Sequence, residues 1–249
     1  MSGPLSSLLA RFPALLDLRG DSQGRATFKR LGAPPPFEGL HTLIPPELGD
    51  FQAARAALKG ELVILGQRRP CPGLTPWDLP LDPGPMSREL HAFDWLADFT
   101  ALGTKAARAR ALGWFLGWID RFAAGDGPGW TPDIVARRLV NMLGALPFLE
   151  PMLTGQIGTR ITNELPRQFA FAEAVLGTEI SAHRRLRSLS ALLQVAACLK
   201  GQEEMRLALT SKLDRACEAT LLPHGGLPSR NPEALMYVLA GLIAVRDVL

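Results

Sequence analysis

The chain has 249 residues, of which 47% are hydrophobic and 20% charged, and its formal net charge is +3. This is an ordinary soluble composition that suits one large domain or two small ones. The three cysteines, Cys71, Cys198 and Cys217, cannot all pair, and the four histidines lack close Cys or carboxylate partners. The composition therefore speaks against a disulfide framework and a metal site, and we expect no metal and no cofactor.

Arginine dominates the basic residues, with twenty-two arginines against five lysines. The planar guanidinium group binds carboxylate and sulfate groups bidentately, so this bias would suit an acidic polymer. A coding bias that favours arginine explains the same count, and the many Ala, Gly and Pro residues favour that second explanation. The polyanion interpretation stays open beside it.

No segment has the features of a secretion signal or of a membrane span. Residues 5–18 are apolar, but Arg11 and Asp17 interrupt them and a positive leader is missing. The uncharged runs at 188–199 and 234–245 are shorter than the roughly 20 residues that cross a bilayer. We therefore expect a cytoplasmic protein without a membrane span, with the periplasm as the alternative.

Residues 1–86 are predicted to form a mostly irregular N-terminal arm, because proline-rich stretches interrupt them. Two short helices and one short strand are predicted within it, at 5–16, 50–58 and 61–65. Asp50 is the expected cap of the second helix. The proline-rich residues 67–85 are predicted to be a loop that Trp77 anchors to the body of the protein.

Residues 87–249 are predicted to be helical throughout, because apolar residues recur at spacings of three and four. The first of seven helices is capped by Ser87 and includes Leu90, Phe93 and Ala97. The other six are predicted at 104–124, 131–147, 153–176, 181–199, 203–222 and 231–248. Short polar or glycine loops imply antiparallel hairpins, although this pattern alone allows any helical bundle or array.

The loop between the last two predicted helices, residues 223–232, contains two glycines and three prolines. Asn231-Pro232-Glu233 is typical of a helix start, with Asn as the cap and Pro at the first helical position. The loop brings four polar residues to a helix N-terminus, where they would contact a carbohydrate or an anion. These substrate-binding candidates are His224, Ser229, Arg230 and Asn231. On spacing alone, a plain helix–helix connection is the favoured interpretation.

Three segments, in order, resemble landmarks of the heparinase II/III family. They are Leu90-His91-Ala92-Phe93-Asp94-Trp95-Leu96, then Trp130-Thr131-Pro132 with Ala136-Arg137-Arg138-Leu139-Val140-Asn141, and finally Gly225-Gly226-x-x-Ser229-Arg230-Asn231-Pro232 before an apolar helix. The resemblance covers residues from about Gly60 to the C-terminus. It implies an all-α fold, an incomplete (α/α) toroid of antiparallel helical hairpins. It also implies the helical domain of a polysaccharide lyase, with an acidic polysaccharide as partner.

Cleavage of a uronic-acid polymer by β-elimination requires a base, a proton donor and neutralisation of the carboxylate. The resemblance implies an Asn-His pair after Gly177, a Tyr-His pair after the loop, and a His from a later β domain. His183 matches the first histidine and is the catalytic candidate, but Ala182 occupies the place of the Asn. Ala234 and Leu235 occupy the places of the Tyr and the second His. Tyr237 lies three residues beyond Ala234 and is interpreted as a packing residue with its hydroxyl group at the rim, rather than as a displaced acid. The given chain ends in a helical pattern, so we expect the β domain to be missing and cleavage by this chain alone is unsupported.

Arg137 and Arg138 point about 100° apart on their predicted helix, so only one of them is expected to line a cleft. Arg138 is the substrate-binding candidate of the two. The basic cluster His183-Arg184-Arg185-Leu186-Arg187 would suit a polyanion or a nucleic-acid phosphate, but a solvated helix start is favoured and we do not expect nucleic acid as a partner. Two alternatives to glycan binding stay open, a non-enzymatic helical scaffold or interaction module and a polyanion binder that uses this cluster.

Overall fold

The structure, a computed structural model, describes residues 24–32, 43, 48–73, 75–80 and 84–249. Within these ranges the chain is mostly helical, which confirms the all-α fold class. The helix predicted at 5–16 and the prolines at 34–36 and 45–46 lie outside the described residues. Among the helices in the described ranges, none combines the length and the apolar character that crossing a bilayer requires.

The N-terminal part contains a helix α1 at 24–31 and a helix α2, Phe51–Leu58. The Asp50 side chain accepts a hydrogen bond from the Gln52 N–H at 2.8 Å, which confirms it as the cap of α2. The Phe28 ring of α1 lies 4.8 Å from the Trp130 ring, measured between centroids. This contact ties α1 to the helices that follow.

A β-hairpin follows α2, so the prediction of a single strand with a loop after it is wrong. Strands β1, Glu61–Ile64, and β2, Gln67–Pro70, pair in an antiparallel manner. All four residues of β2 are exposed. Because no side chain of β2 is buried, its sequence lacks the alternation of hydrophobic and polar residues that predicts a strand. The strand is held by its backbone hydrogen bonds with β1.

The segment after the hairpin includes a single 3₁₀ turn, Pro76–Asp78. The Trp77 side chain is buried, and its Nε1 atom donates a hydrogen bond to the Trp114 carbonyl at 2.7 Å. The prediction that Trp77 anchors this segment to the helical body is therefore confirmed.

Eight further helices make up most of the rest of the described chain. They are α3 Pro85–Ala92, α4 Trp95–Leu102, α5 Lys105–Phe122, α6 Pro132–Leu149, α7 Gly155–Val175, α8 Ala182–Cys198, α9 Glu203–Thr220 and α10 Pro232–Val248. Short 3₁₀ turns, Glu150–Met152 and Leu176–Thr178, follow α6 and α7. The predicted helices from 104 onward are confirmed to within a few residues at each end.

The single helix predicted from Ser87 is wrong, because the chain breaks at Phe93. Phe93 has a left-handed backbone with φ +67°, which ends α3, and α4 starts at Trp95. The break directs the Phe93 ring into the core, 5.0 Å from the Phe115 ring and 5.3 Å from the Trp118 ring. Ser87 is buried within α3 and does not cap it, because Gly84 precedes the helix and Pro85 takes the first position.

Helices α3, α6, α8 and α10 lie side by side and run in the same direction. Arg88 and Glu89 of α3 pair with Asp133 and Arg137 of α6, in that order. On the next pair of neighbours, Arg187 of α8 stacks on Tyr237 of α10, and Ser190 faces Gly241 one turn further along both helices. Between α6 and α8, Asp133 interacts with Arg184 and Arg137 with Arg187. Residue numbers thus rise together on both partners of each pair, which shows that the helices are parallel.

Helices α7 and α9 connect these parallel helices and lie on the opposite face of α8. Arg187, Ala191 and Gln194 of α8 face α6 and α10, whereas Arg185 and Leu189 face α7 and α9. The positions 185 and 187 are about 200° apart around a helix axis, which agrees with this division. The helices from α6 onward therefore form two layers, with α6, α8 and α10 in one and α7 and α9 in the other.

Candidate functional site

The candidate site is a groove on the face of the parallel layer that is turned away from α7 and α9, which we name the inner groove. It is lined by Asp94 and by residues of α6, α8 and α10, namely Arg137, Val140, Asn141, Arg187, Ala191, Gln194, Tyr237, Ala240, Gly241 and Ala244. Its volume is ≈ 90 Å³. This volume exceeds what a single water molecule needs, so the groove has room for a group such as a carboxylate.

Arg137 organises one end of the inner groove. Its Nη1 and Nη2 atoms donate to Oε1 and Oε2 of Glu89 at 3.1 and 2.6 Å, and Nη2 also donates to Oδ2 of Asp94. The Asn141 side chain donates to Oδ1 of Asp94 at 2.8 Å. Burial opposes the charge of Arg137, but the carboxylates of Asp94 and Glu89 outweigh it and raise the pKa of Arg137. Arg137 is therefore a fixed part of the groove wall, with its charge already matched.

Glu89 and Asp94 form a carboxyl pair on this one guanidinium group. Burial alone would raise the pKa of Glu89, but its hydrogen bonds with Asp94 and Arg137 lower it to about 2. Burial raises the pKa of Asp94 well above its ordinary range, and the neighbouring Glu89 raises it further. Two carboxyl groups in contact do not both ionise readily, so Asp94 is the member of the pair that holds a proton more strongly.

Arg187 supplies the other charge of the inner groove. Its guanidinium carbon lies 4.2 Å from the centroid of the Tyr237 ring, and among the described residues no carboxylate lies within ion-pair distance of it. Burial lowers the pKa of Arg187, and the nearby positive charge of Arg137 lowers it further, whereas the carboxylates of Asp133 and Glu89, beyond ion-pair distance, oppose this shift. The aromatic ring holds the guanidinium group in place without neutralising it, so its hydrogen-bond donors remain for an anion in the groove.

Gly241 allows α10 to approach α8 closely behind this stack. A Cβ atom on Gly241 would lie 3.2 Å from the Cβ atom of Ser190, which is tighter than an ordinary contact. Glycine inside a helix costs about 1 kcal/mol relative to alanine, so a glycine here has a packing role. The close approach brings Tyr237 within reach of Arg187.

The assignment of Arg138 to the cleft needs correction, because its side chain is completely buried, with 0% exposure. It donates hydrogen bonds to the carbonyls of His91 and Gly129, both at 2.9 Å, and to Oε1 of Gln168 at 2.7 Å. The guanidinium carbon also lies 4.3 Å from the centroid of the Trp118 ring. Burial lowers the pKa of Arg138 to about 9. Arg138 stabilises the core, and its neighbour Arg137 lines the groove instead.

His91 lies beside Arg138 as a satisfied core histidine. Its Nδ1 atom accepts a hydrogen bond from Nε1 of Trp118 at 3.0 Å. Burial, together with the charge of Arg138, lowers the pKa of His91 to about 3, so the ring is neutral at ordinary pH. Among the described residues no cluster of His, Cys, Asp or Glu suits a metal ion.

His183, the catalytic candidate, lies one turn before Arg187 on α8 and is partly buried. Its Nδ1 atom lies 3.0 Å from Oγ of Ser181. Burial lowers the pKa of His183, and the charges of Arg184 and Arg187 lower it further. A neutral imidazole suits a base, but His183 is not among the residues that line the inner groove. Its catalytic role stays a prediction.

The loop candidates His224, Ser229, Arg230 and Asn231 are all exposed and do not line the inner groove. The Oδ1 atom of Asn231 accepts from the Glu233 and Ala234 N–H groups at 3.0 and 3.2 Å, which confirms the predicted cap. That oxygen is therefore already used by the backbone. Because α8 and α10 are parallel, this loop and His183 lie at the same end of the layer. Their role in substrate binding stays a prediction.

Three residues central to the groove, Arg187, Tyr237 and Asp94, were not among the site candidates from the sequence. The tyrosine was interpreted as a packing residue, and the arginine as part of a solvated basic helix start. One signal was present, because His183 and Arg187 are four residues apart and share a helix face, as Arg137 and Asn141 do. The sequence of one helix does not show which of its faces contacts another helix. The shared face of these residues therefore did not identify a groove by itself.

Comparison with known proteins gives a single partial similarity to report. No family model matches the chain, and no solved structure matches it. The chain is similar to FtsZ-localized protein C of Caulobacter vibrioides (strain NA1000 / CB15N), with 28% identity over 162 residues. The match covers 64% of this chain and 27% of that protein, so the chain spans about a quarter of the length of this relative.

Proposed function

We propose that this chain is a heparinase II/III-like helical domain and that its inner groove binds the acidic groups of a polysaccharide. The observation that carries the proposal is Arg187, a half-buried guanidinium group that lines the groove and forms no ion pair within the described part of the chain. Partial burial of this charge costs desolvation energy that no ion pair within the described residues offsets, and an anionic ligand would offset that cost. The binding function is proposed without cleavage, because Ala182, Ala234 and Leu235 occupy places where the resemblance implies catalytic side chains.

The two-layer arrangement supports the resemblance to an (α/α) toroid. In such a fold, successive helices alternate between an inner and an outer layer, as α6 to α10 do here. We infer that the layer of α3, α6, α8 and α10 is the inner wall of an incomplete toroid. The inner groove would then lie on the concave side, where a long polymer passes across several helices.

The size and chemistry of the inner groove favour recognition of one charged group at a time. A volume of ≈ 90 Å³ accepts a carboxylate or a sulfate, while the sugar rings would lie over the open mouth. Arg187 would donate paired hydrogen bonds to that anion.

The proposal is tested by titrating a heparin hexasaccharide into the protein and measuring the heat, with a neutral dextran oligosaccharide as the reference ligand. Hydrogen bonds to charged groups contribute about 1.5–3 kcal/mol, so Arg187→Gln is expected to weaken heparin binding about tenfold or more. The matched control is Arg69→Gln, which removes an equal charge from the exposed strand β2, outside both the inner groove and the cleft on the other face of α8. Absence of binding to the wild-type protein, or an equal loss in both variants, would contradict the proposal. Equal affinity for a DNA duplex with the same salt slope would indicate a general polyanion surface instead.

A second candidate function is a non-enzymatic helical interaction module. The observation that favours it is the similarity to FtsZ-localized protein C, whose name describes localisation with FtsZ. We propose, as this alternative, that the chain associates with FtsZ polymers. The test is co-sedimentation of the purified chain with FtsZ assembled in the presence of GTP. Enrichment in the pellet supports this candidate, while recovery in the supernatant at all FtsZ concentrations contradicts it.

A further inference from the structure

The structure contains a second and larger cleft on the face of α8 opposite the inner groove, which we name the outer cleft. It lies between the C-terminal parts of α7 and α9, with α8 as its floor, and its volume is ≈ 610 Å³. Its lining residues are Glu173, Leu176, Gly177, Glu179, Ile180, Ala182, Arg185, Leu189, Lys212, Arg215, Ala216, Ala219 and Thr220. This volume is within the range of about 300–1,000 Å³ that is usual for ligand pockets.

Small side chains keep the outer cleft open. Three alanines line it, Ala182 of α8 and Ala216 and Ala219 of α9. Their methyl groups leave open a space that larger side chains would fill. The floor is apolar, with Leu176 and Leu189 buried beneath it. At the rim, Ile180 is 86% exposed. The cleft therefore offers an apolar floor with one apolar side chain at its edge.

The charges of the outer cleft are divided between its two walls. Arg185, Lys212 and Arg215 line the side of α8 and α9, and among the described residues none of them has a carboxylate within ion-pair distance. Glu173 and Glu179 lie on the side of α7. The carboxylate of Glu179 accepts a hydrogen bond from the Ser181 N–H at 3.0 Å, so part of its charge is already matched within the chain. One wall is therefore strongly cationic, and its charges are free to meet a ligand.

We propose that the outer cleft binds an acidic peptide segment of a partner protein, with an apolar side chain of that segment seated on the cleft floor. The cationic wall would pair with the carboxylates of the segment, and the alanine-lined floor would bury its apolar residue. A sugar chain or a nucleic-acid backbone would match the cations, but it would leave the apolar floor and Ile180 without complementary groups. The site lies on the opposite face of α8 from the inner groove and does not depend on the function proposed for that groove.

The test is fluorescence anisotropy with a set of fluorescein-labelled peptides of about twelve residues, in which glutamates flank one leucine or isoleucine at varied spacings. Two reference sets replace the glutamates with lysine or the apolar residue with serine. The cleft is altered in two ways, by Lys212→Glu with Arg215→Glu, and by Ala219→Trp, which fills the exposed mouth without changing charge. The control is Arg69→Glu with Lys105→Glu, two exposed cations far from α9 that change the net charge equally.

At least one acidic peptide is expected to bind the wild-type protein with a Kd below about 1 mM, and both cleft variants are expected to weaken it about tenfold or more. The control variant and the reference peptides are expected to show whether binding occurs specifically in the cleft or results from general charge attraction. The proposal is overturned if no acidic peptide binds, if the control variant loses as much affinity as the cleft variants, or if the serine peptides bind equally well. Far-UV circular dichroism of each variant shows whether the helices are retained.

Discussion

The guanidinium carbon of Arg187 lies 4.2 Å from the centroid of the Tyr237 ring, and this stack joins α8 to α10 across the inner groove. It combines two features that a binding site for an anion requires. The ring restricts the arginine side chain to one orientation, and it leaves the hydrogen-bond donors of that side chain unused within the described part of the chain. An ion pair would have restricted the arginine equally well, but it would also have neutralised it, as it does for Arg137.

The stack predicts that the ring of Tyr237, and not its hydroxyl group, matters. Tyr237→Phe keeps the aromatic face, so we expect the free energy of unfolding to stay within about 0.5 kcal/mol of wild type. Tyr237→Leu removes that face and is expected to cost about 0.5–2 kcal/mol. Urea unfolding of these variants, alone and combined with Arg187→Gln, gives the coupling energy directly. Equal stability of the Phe and Leu variants would show that the ring contributes only its volume.

The burial of Arg138 predicts a large loss of stability when it is replaced. Arg138→Met keeps a long side chain but leaves the carbonyls of His91 and Gly129 and the side chain of Gln168 without their donor. We expect a loss of about 3 kcal/mol or more in the free energy of unfolding, because buried polar groups without partners are costly. The control is Arg160→Met, which breaks an exposed ion pair with Asp120 and should cost no more than about 1 kcal/mol. Similar losses in the two variants would contradict the structural role of Arg138.

Asp98 predicts a pH dependence of stability. Burial raises its pKa from 3.8 to about 6; the hydrogen bond from the Asp50 N–H opposes this rise, and the Asp50 carboxylate adds to it. The native protein thus binds this proton more tightly than the unfolded chain, and its stability falls as pH rises from about 4 to about 6. Asp98→Asn keeps the acceptor for Asp50 without the charge, so its melting temperature should exceed that of wild type at pH 7.

The pH series itself supplies the control for Asp98. The difference in melting temperature between Asp98→Asn and wild type should shrink toward zero as pH falls below about 4, because Asp98 is then protonated in both the native and the unfolded state. A difference that does not change with pH, or a variant less stable than wild type at pH 7, would count against the raised pKa. Scanning calorimetry between these pH values provides both measurements.

The turn of the β-hairpin predicts a stabilising substitution. Leu65 and Gly66 have φ values of +48° and +72°, the left-handed pattern of a turn that favours Asn-Gly. Leu65 is exposed and makes little use of its side chain. Leu65→Asn is expected to raise the free energy of unfolding by roughly 0.5–1 kcal/mol, because asparagine tolerates this backbone better than leucine does. The matched control is Leu48→Asn at another exposed leucine, which should change stability by less than about 0.5 kcal/mol.

Local interactions explain why most helices were found from the sequence. The Asp50 and Asn231 caps, the Thr104 cap of α5 and the apolar spacing of three and four all act within a few residues. Each is therefore present in the sequence itself, whatever the rest of the chain does. The helix break at Phe93 was not predicted, because a left-handed backbone is usually signalled by glycine or asparagine and not by phenylalanine. Here the aromatic core around the Phe93 ring imposes that backbone conformation.

The sequence by itself determined that this protein is helical and where most of its described helices begin and end. Only the tertiary structure decided which polar residues share a surface. Arg137 and Arg138 are adjacent in sequence, yet one lines a groove and the other is enclosed by tryptophan rings. The physical reason is that the role of a side chain depends on the helix that faces it, and that neighbour is set by packing between segments distant in sequence.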